Sequence, residues 1–136
     1  MEQILIVSSS QKSKELLIDI VKSAGKYDIS SVDKGVLCRE IIKNNNFDLI
    51  IINAPLRDDY GERLAKFISQ NTNSDIILIV KNEDKNQLYK IEESGIYVME
   101  KPINKFLFIK IVIKIMIFLY SFLFIFKLLR NFSIKV

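Results

Sequence analysis

Asp48-Leu49-Ile50-Ile51-Ile52-Asn53-Ala54-Pro55 decides the fold. Three isoleucines follow Asp48 and Leu49, and turn residues close the run. A short apolar run of this kind reads as a strand buried on both faces, central in a parallel sheet. Asn53, the first polar residue after the run, falls at the strand's carboxyl end. Open α/β sheets place their functional groups there.

Outward from this strand the same alternation repeats. Upstream, Gln3 to Val7 is a first apolar strand, and Ser8-Ser9-Ser10 is a polar turn able to cap a helix. Leu16, Leu17, Ile20, Val21 and Ala24 lie at helical spacing, with Gly25 as a C′ residue. Tyr27 to Val32 reads as a second, less buried strand. Val36, Leu37, Ile41 and Ile42 mark a second helix that ends at Asn44-Asn45-Asn46. Downstream, Gly61 opens a helix carrying Leu64, Ala65, Phe67 and Ile68. Asp75 to Val80 is another buried strand. Lys85 to Glu93 is a mostly polar helix with Leu88 and Ile91 inward, and Gly95 precedes a short strand, Ile96 to Met99.

Strands alternating with helices of about ten residues imply parallel βαβ units. The expected class is α/β and flavodoxin-like: a five-stranded parallel sheet in the order 2-1-3-4-5, helices on both faces, and an apolar C-terminal helix. A dinucleotide-binding unit competes with it, but the first turn is Ser-Ser-Ser, with no glycine-rich loop and no P-loop lysine.

The chain has 136 residues, enough for one domain with a real core. It has no histidine and a single cysteine, Cys38. That excludes histidine-based triads, a disulfide framework and a Cys-rich zinc site. Cys38 reads as a packed apolar side chain. The amino terminus has no basic flank followed by a long apolar run, so a cytoplasmic location is the expectation. The net charge of +4 is unevenly distributed. Residues 1–104 carry 14 Lys+Arg against 16 Asp+Glu, a balance of −2, whereas residues 105–136 carry 6 Lys+Arg and no acid. The basic excess belongs to a tail of different character.

Four segments in order carry a resemblance to the receiver domain of bacterial two-component response regulators (the CheY-like domain). They are Ile4-Leu-Ile-Val7, Asp48-Leu-Ile-Ile-Ile-Asn53-Ala-Pro-Leu, Asp75-Ile-Ile-Leu-Ile-Val80, and Gly95 followed by Lys101-Pro102. The resemblance spans Met1 to about Leu119, leaving residues 120–136 as an apolar and basic tail that continues the last helix. It implies that Ser8 and Ser9 stand where the family has two acidic Mg²⁺ ligands. Asn53 stands at the phosphoacceptor aspartate, Val80 at a Ser/Thr hydroxyl and Val98 at the aromatic switch position. Of the site residues, Lys101 alone is retained, and the Lys101–Pro102 peptide is expected to be cis.

A neutral amide is a poor nucleophile toward phosphorus. Two serines and an asparagine offer Mg²⁺ no formal charge. The expectation is therefore a degenerate pseudo-receiver with no catalytic residue, no metal and no cofactor. Asp58 and Asp59 are expected to form a solvated turn rather than a substitute acid pair. Further segments, among them Val98-Met-Glu-Lys-Pro-Ile-Asn104, resemble the receivers of clostridial antiterminator regulators with an RNA-binding module of the ANTAR type. No polar three-helix segment follows here, so no RNA contact is carried over to any residue.

Asn104 can cap a last helix from Lys105. From Ile111 to Leu129 only Lys114, Ser121 and Lys127 interrupt an apolar run. A helix apolar all round is buried in something. The readings are a membrane anchor, a surface for a protein partner or a second copy, and the eroded or frame-shifted end of a gene. The interaction reading rests on Val98, Phe106, Phe108, Ile111, Ile115, Phe118 and Phe122. Function is expected through protein contact or dimerisation without phosphorylation. The alternative is a phosphate or small-ligand site in the crevice at the strand ends. That alternative lacks a general base, since no His or inward carboxylate lies there.

Overall fold

The computed structural model describes residues 1–81 and 96–134; at positions 119–124, 126 and 131–134 it describes the backbone only. The elements in chain order are β1 (Gln3–Ser8), α1 (Gln11–Ala24), β2 (Asp28–Val32), α2 (Gly35–Asn44), β3 (Leu49–Asn53), α3 (Gly61–Asn71), β4 (Asp75–Val80), β5 (Tyr97–Glu100) and α4 (Lys105–Ile134). The strands form one parallel sheet in the order β2-β1-β3-β4-β5. This is the expected flavodoxin-like order. The expected helix at 85–93, with Leu88, Ile91 and Gly95, lies outside the described residues.

Period-two alternation divides the sheet's side chains between two cores. Leu5, Val7, Ile50, Ile52, Leu78 and Val80 face α2 and α3, meeting Cys38, Leu64, Ala65 and Ile68. Ile4, Ile6, Leu49, Ile51, Ile77, Ile79 and Met99 face α1 and α4, meeting Leu17, Ile20, Val21, Phe108 and Val112. Every residue of β3 is buried, which is why the sequence needed isoleucine at consecutive positions. Each such side chain contributes roughly 1.5–3 kcal/mol on burial. β2, at the edge, is only half-buried.

The helices follow the sequence signals with informative exceptions. Ser10 caps α1, its hydroxyl accepting from the Ser13 amide, and Asn104 caps α4 through the Leu107 amide. Gly25 follows the last residue of α1 and has extended backbone. A Cβ there would sit 2.7 Å from the Tyr27 hydroxyl, so the residue that closes α1 is also one where the Tyr27 ring leaves no room for a side chain. Of the apolar residues that mark α2, Val36 and Leu37 are exposed; Cys38 is buried in the core, with Ile41 and Ile42 at its margin. The first turn of α2 is held from outside by the loop between β3 and α3, through the Gly35 and Val36 amides. Gly61 lies where α3 crosses the sheet so closely that a Cβ would sit 2.7 Å from that of Ala54.

Helix α4 has 30 residues, about 45 Å. α1, packed beside it on the same face, has 14, about 21 Å. Both start near the strands' carboxyl ends, so α4 outruns the domain. Its last described buried residue is Met116. Among the described residues no helix is long and apolar enough to cross a membrane.

Candidate functional site: the crevice at the strand ends

The parallel register sets Ser8, last in β1, beside Asn53, last in β3, and Asn53 beside Ile79 of β4. Ser8 and Asn53 are the buried polar residues among those described. The Asn53 Nδ2 donates to Ser8 Oγ at 3.1 Å, and that hydroxyl donates onward to the Ser10 carbonyl at 3.1 Å. The chain of hydrogen bonds ends in a backbone acceptor.

Ser9 points the other way. Its hydroxyl donates to the Asp33 carbonyl at 2.7 Å and accepts from the Arg57 amide at 3.1 Å. One side chain thus ties the loops after β1, β2 and β3 together. Val80 ends β4 with its side chain in the α2/α3 core, and its carbonyl accepts from the Lys101 amide at 2.9 Å. The Lys101 ammonium donates to the Ala54 carbonyl at 2.5 Å. Burial, with Lys81 nearby, pushes its pKa below the usual lysine range. The Lys101–Pro102 peptide is cis, as is Ala54–Pro55. Ser8, Ser9, Asn53 and Lys101 therefore gather at one end of the sheet, each committed to a protein partner. Among the described residues no buried side-chain nitrogen or oxygen lacks a hydrogen-bond partner, and no three His, Cys, Asp or Glu side chains cluster as a metal would need.

Asp58 and Asp59 lie in a turn with Asp58 exposed, as expected, but both carboxylates also have protein partners. The Asp58 carboxylate accepts from the Gly35 and Val36 amides at 2.8 and 3.0 Å, capping α2 from a neighbouring loop. These two amides hold its pKa below the usual carboxylate value. Asp59 pairs with Arg39 at 2.9 Å, and the Arg39 guanidinium lies 4.3 Å from the centre of the Phe67 ring. Loop β3–α3 is thereby fastened to α2 and, through Arg39, to α3. Sequence offered no signal for this, because the partners are 20 to 23 residues apart.

Asp58→Ala should cost about 1 kcal/mol of stability, the usual worth of a helix cap, read by urea unfolding at pH 7. A depressed carboxylate stabilises above its unfolded pKa and loses this as pH falls through its folded pKa. The gap between Asp58→Ala and the natural chain should therefore close on acidification below pH about 4.

Of the interaction residues, Phe108 and Ile115 are corrected: both are buried in the domain's own core against α1 and the sheet. They fall there because α4 needs an apolar stripe to dock at all. Val98 packs against the α2/α3 core, and Ile111 against the margin of the α1/α4 core. Phe106 and Phe118 are exposed, and Phe122 lies on the α4 backbone with its side chain outside the description.

The strand order 2-1-3-4-5 goes with a crevice formed by the ends of β1 and β3 and a lysine reaching the loop after β3. The fold is that of response-regulator receiver domains. The signal receiver domain of a putative LuxO repressor protein from Vibrio parahaemolyticus superposes with a TM-score of 0.76 at 26% identity, over 84% of this chain and 88% of that one. A two-component response regulator from Clostridium difficile gives 0.76 at 22% identity, over 85% and 96%. The beryllofluoride-activated NtrC4 receiver domain dimer gives 0.72 at 23%, over 84% and 98%. No protein-family model matches the sequence, and no curated protein does.

Proposed function

We propose that the chain is a receiver-type signalling module that works through protein contact, without phosphorylation and without catalysis of its own. The observation that carries this is the Asn53–Ser8 pair. The position that the receiver resemblance gives to the phosphoacceptor holds a neutral amide, already bonded to a hydroxyl. Acyl phosphate formation needs a carboxylate nucleophile. Mg²⁺ prefers charged oxygen ligands and gives up its waters reluctantly. Ser8, Ser9 and Asn53 supply none of this charge, so the residues present do not fit the ion. Transcription antitermination is carried by sequence likeness alone and adds no residue to the site. For the crevice as a small-anion site, the Ser8 and Ser9 hydroxyl protons are already given to the Ser10 and Asp33 carbonyls, while the Lys101 ammonium holds the Ala54 carbonyl with one of its three protons.

The test is incubation with acetyl phosphate and Mg²⁺ followed by intact-mass measurement. The expected result is an unchanged mass; a gain of one phosphoryl group overturns the proposal.

A further inference from the structure

The outer face of α4 carries apolar surface and charge that the domain does not use. Phe106, Leu107, Ile117, Phe118, Ile125 and Leu128 are between 49% and 84% exposed. At 100° per residue they share an arc of about 120°, opposite the buried stripe of Phe108, Val112, Ile115 and Met116. With about 200 Å² for a fully exposed large apolar side chain, the six leave roughly 700 Å² on one face. A monomer's largest apolar patch is usually about 300–600 Å², and a larger one marks a contact with protein or with membrane.

Two lysines decide between these. Lys110 and Lys114 are exposed and fall inside the same arc. Among the described residues no carboxylate pairs with either. A dry protein interface over this face would seal two ammonium groups among phenylalanine, leucine and isoleucine side chains, and buried charge is costly even when paired. At a bilayer surface the conflict disappears: the lysine stems lie along the apolar side chains while the ammonium groups reach the lipid phosphates. The charge also has one sign. Residues 105–136 hold 6 Lys+Arg and no acid, whereas residues 1–104 balance at −2. A crossing does not fit, because the uncharged stretch between Lys114 and Lys127 has 12 residues. That is about 18 Å against a hydrocarbon core of about 30 Å.

We propose that the outer face of α4 seats the domain on the surface of an anionic bilayer. Phe106, Leu107, Ile117 and Phe118 enter the headgroup layer, and Lys110 and Lys114 stand at its phosphates. The stripe through Phe108 keeps the rest of the domain on the water side. This site is separate from the crevice and independent of its chemistry.

The full chain should co-sediment with vesicles of mixed phosphatidylcholine and phosphatidylserine, and stay in the supernatant with phosphatidylcholine alone. Lys110→Gln with Lys114→Gln should weaken binding about 30-fold, from about fivefold per lysine near an anionic surface. Phe106→Ser with Phe118→Ser should also release the chain. Both double variants should keep the natural far-UV circular dichroism, because these side chains are exposed. Lys127→Cys, outside the lipid-facing arc, should react with a membrane-impermeant maleimide added outside the vesicles. Cys38 is buried with its thiol pushed up to about 12, so the introduced cysteine reports alone. Failure to bind anionic vesicles, including by a chain that sediments as a dimer, overturns the proposal. So does equal binding to phosphatidylcholine alone, binding that ignores the two lysine substitutions, or protection of the cysteine at position 127, which would mean that the helix crosses.

Discussion

Phe108→Ala should destabilise the domain by about 3–5 kcal/mol, the range for deleting a buried phenylalanine. Phe108 is among the largest fully buried side chains and joins α4 to Ile4, Ile6, Leu17 and the rest of the α1/α4 core. The cost has two parts, the lost transfer energy of the ring and a cavity that rigid strands on one side cannot close. Urea unfolding at dilute protein should show the midpoint falling with little change in slope. The informative control is Phe118→Ala, ten residues along the same helix. It should leave the domain's own stability within about 0.5 kcal/mol, as surface substitutions do. Equal losses at both positions would mean that α4 does not divide into a docking face and a free face.

Asn53→Asp should cost about 2–3 kcal/mol at pH 7 and confer no phosphorylation. The substitution deletes the Nδ2 donor to Ser8 Oγ and puts a carboxylate where the residue is nearly sealed from water. Ser8 already donates to the Ser10 carbonyl, so its hydroxyl must abandon that bond or face the carboxylate with a lone pair. An unpaired buried charge costs more than a lost neutral hydrogen bond. Burial raises the new acid's folded pKa, so the neutral form is favoured. The loss should then be full above that raised pKa and diminish as pH falls through it toward the unfolded value near 4. Stability measured against pH reads this directly. An unchanged midpoint would mean that the Lys101 ammonium leaves the Ala54 carbonyl for the new carboxylate.

The same residues separate what was legible from what was not. Cys38 as core filler, the caps at Ser10 and Asn104, and the exposed edge at β2 were all readable from neighbours within four positions. The direction of α2 was not. Val36 and Leu37 are as apolar as Ile41 and Ile42, and composition cannot say which pair turns outward. The Asp58 carboxylate, 22 and 23 residues away, fixes the first turn of α2.

Sequence by itself determined the sheet, because period-two burial on both faces is a local constraint that only runs such as Leu49–Ile52 satisfy. It also determined that positions 8, 9 and 53 carry no carboxylate, since residue identity alone sets the charge there. Only the tertiary structure decided where the crevice groups spend their hydrogen bonds and which face of α4 is free. Those outcomes depend on long-range placement: Ser9 reaches residues 33 and 57, Lys101 reaches residue 54, and Phe108 faces inward because α1 and the sheet are there to receive it.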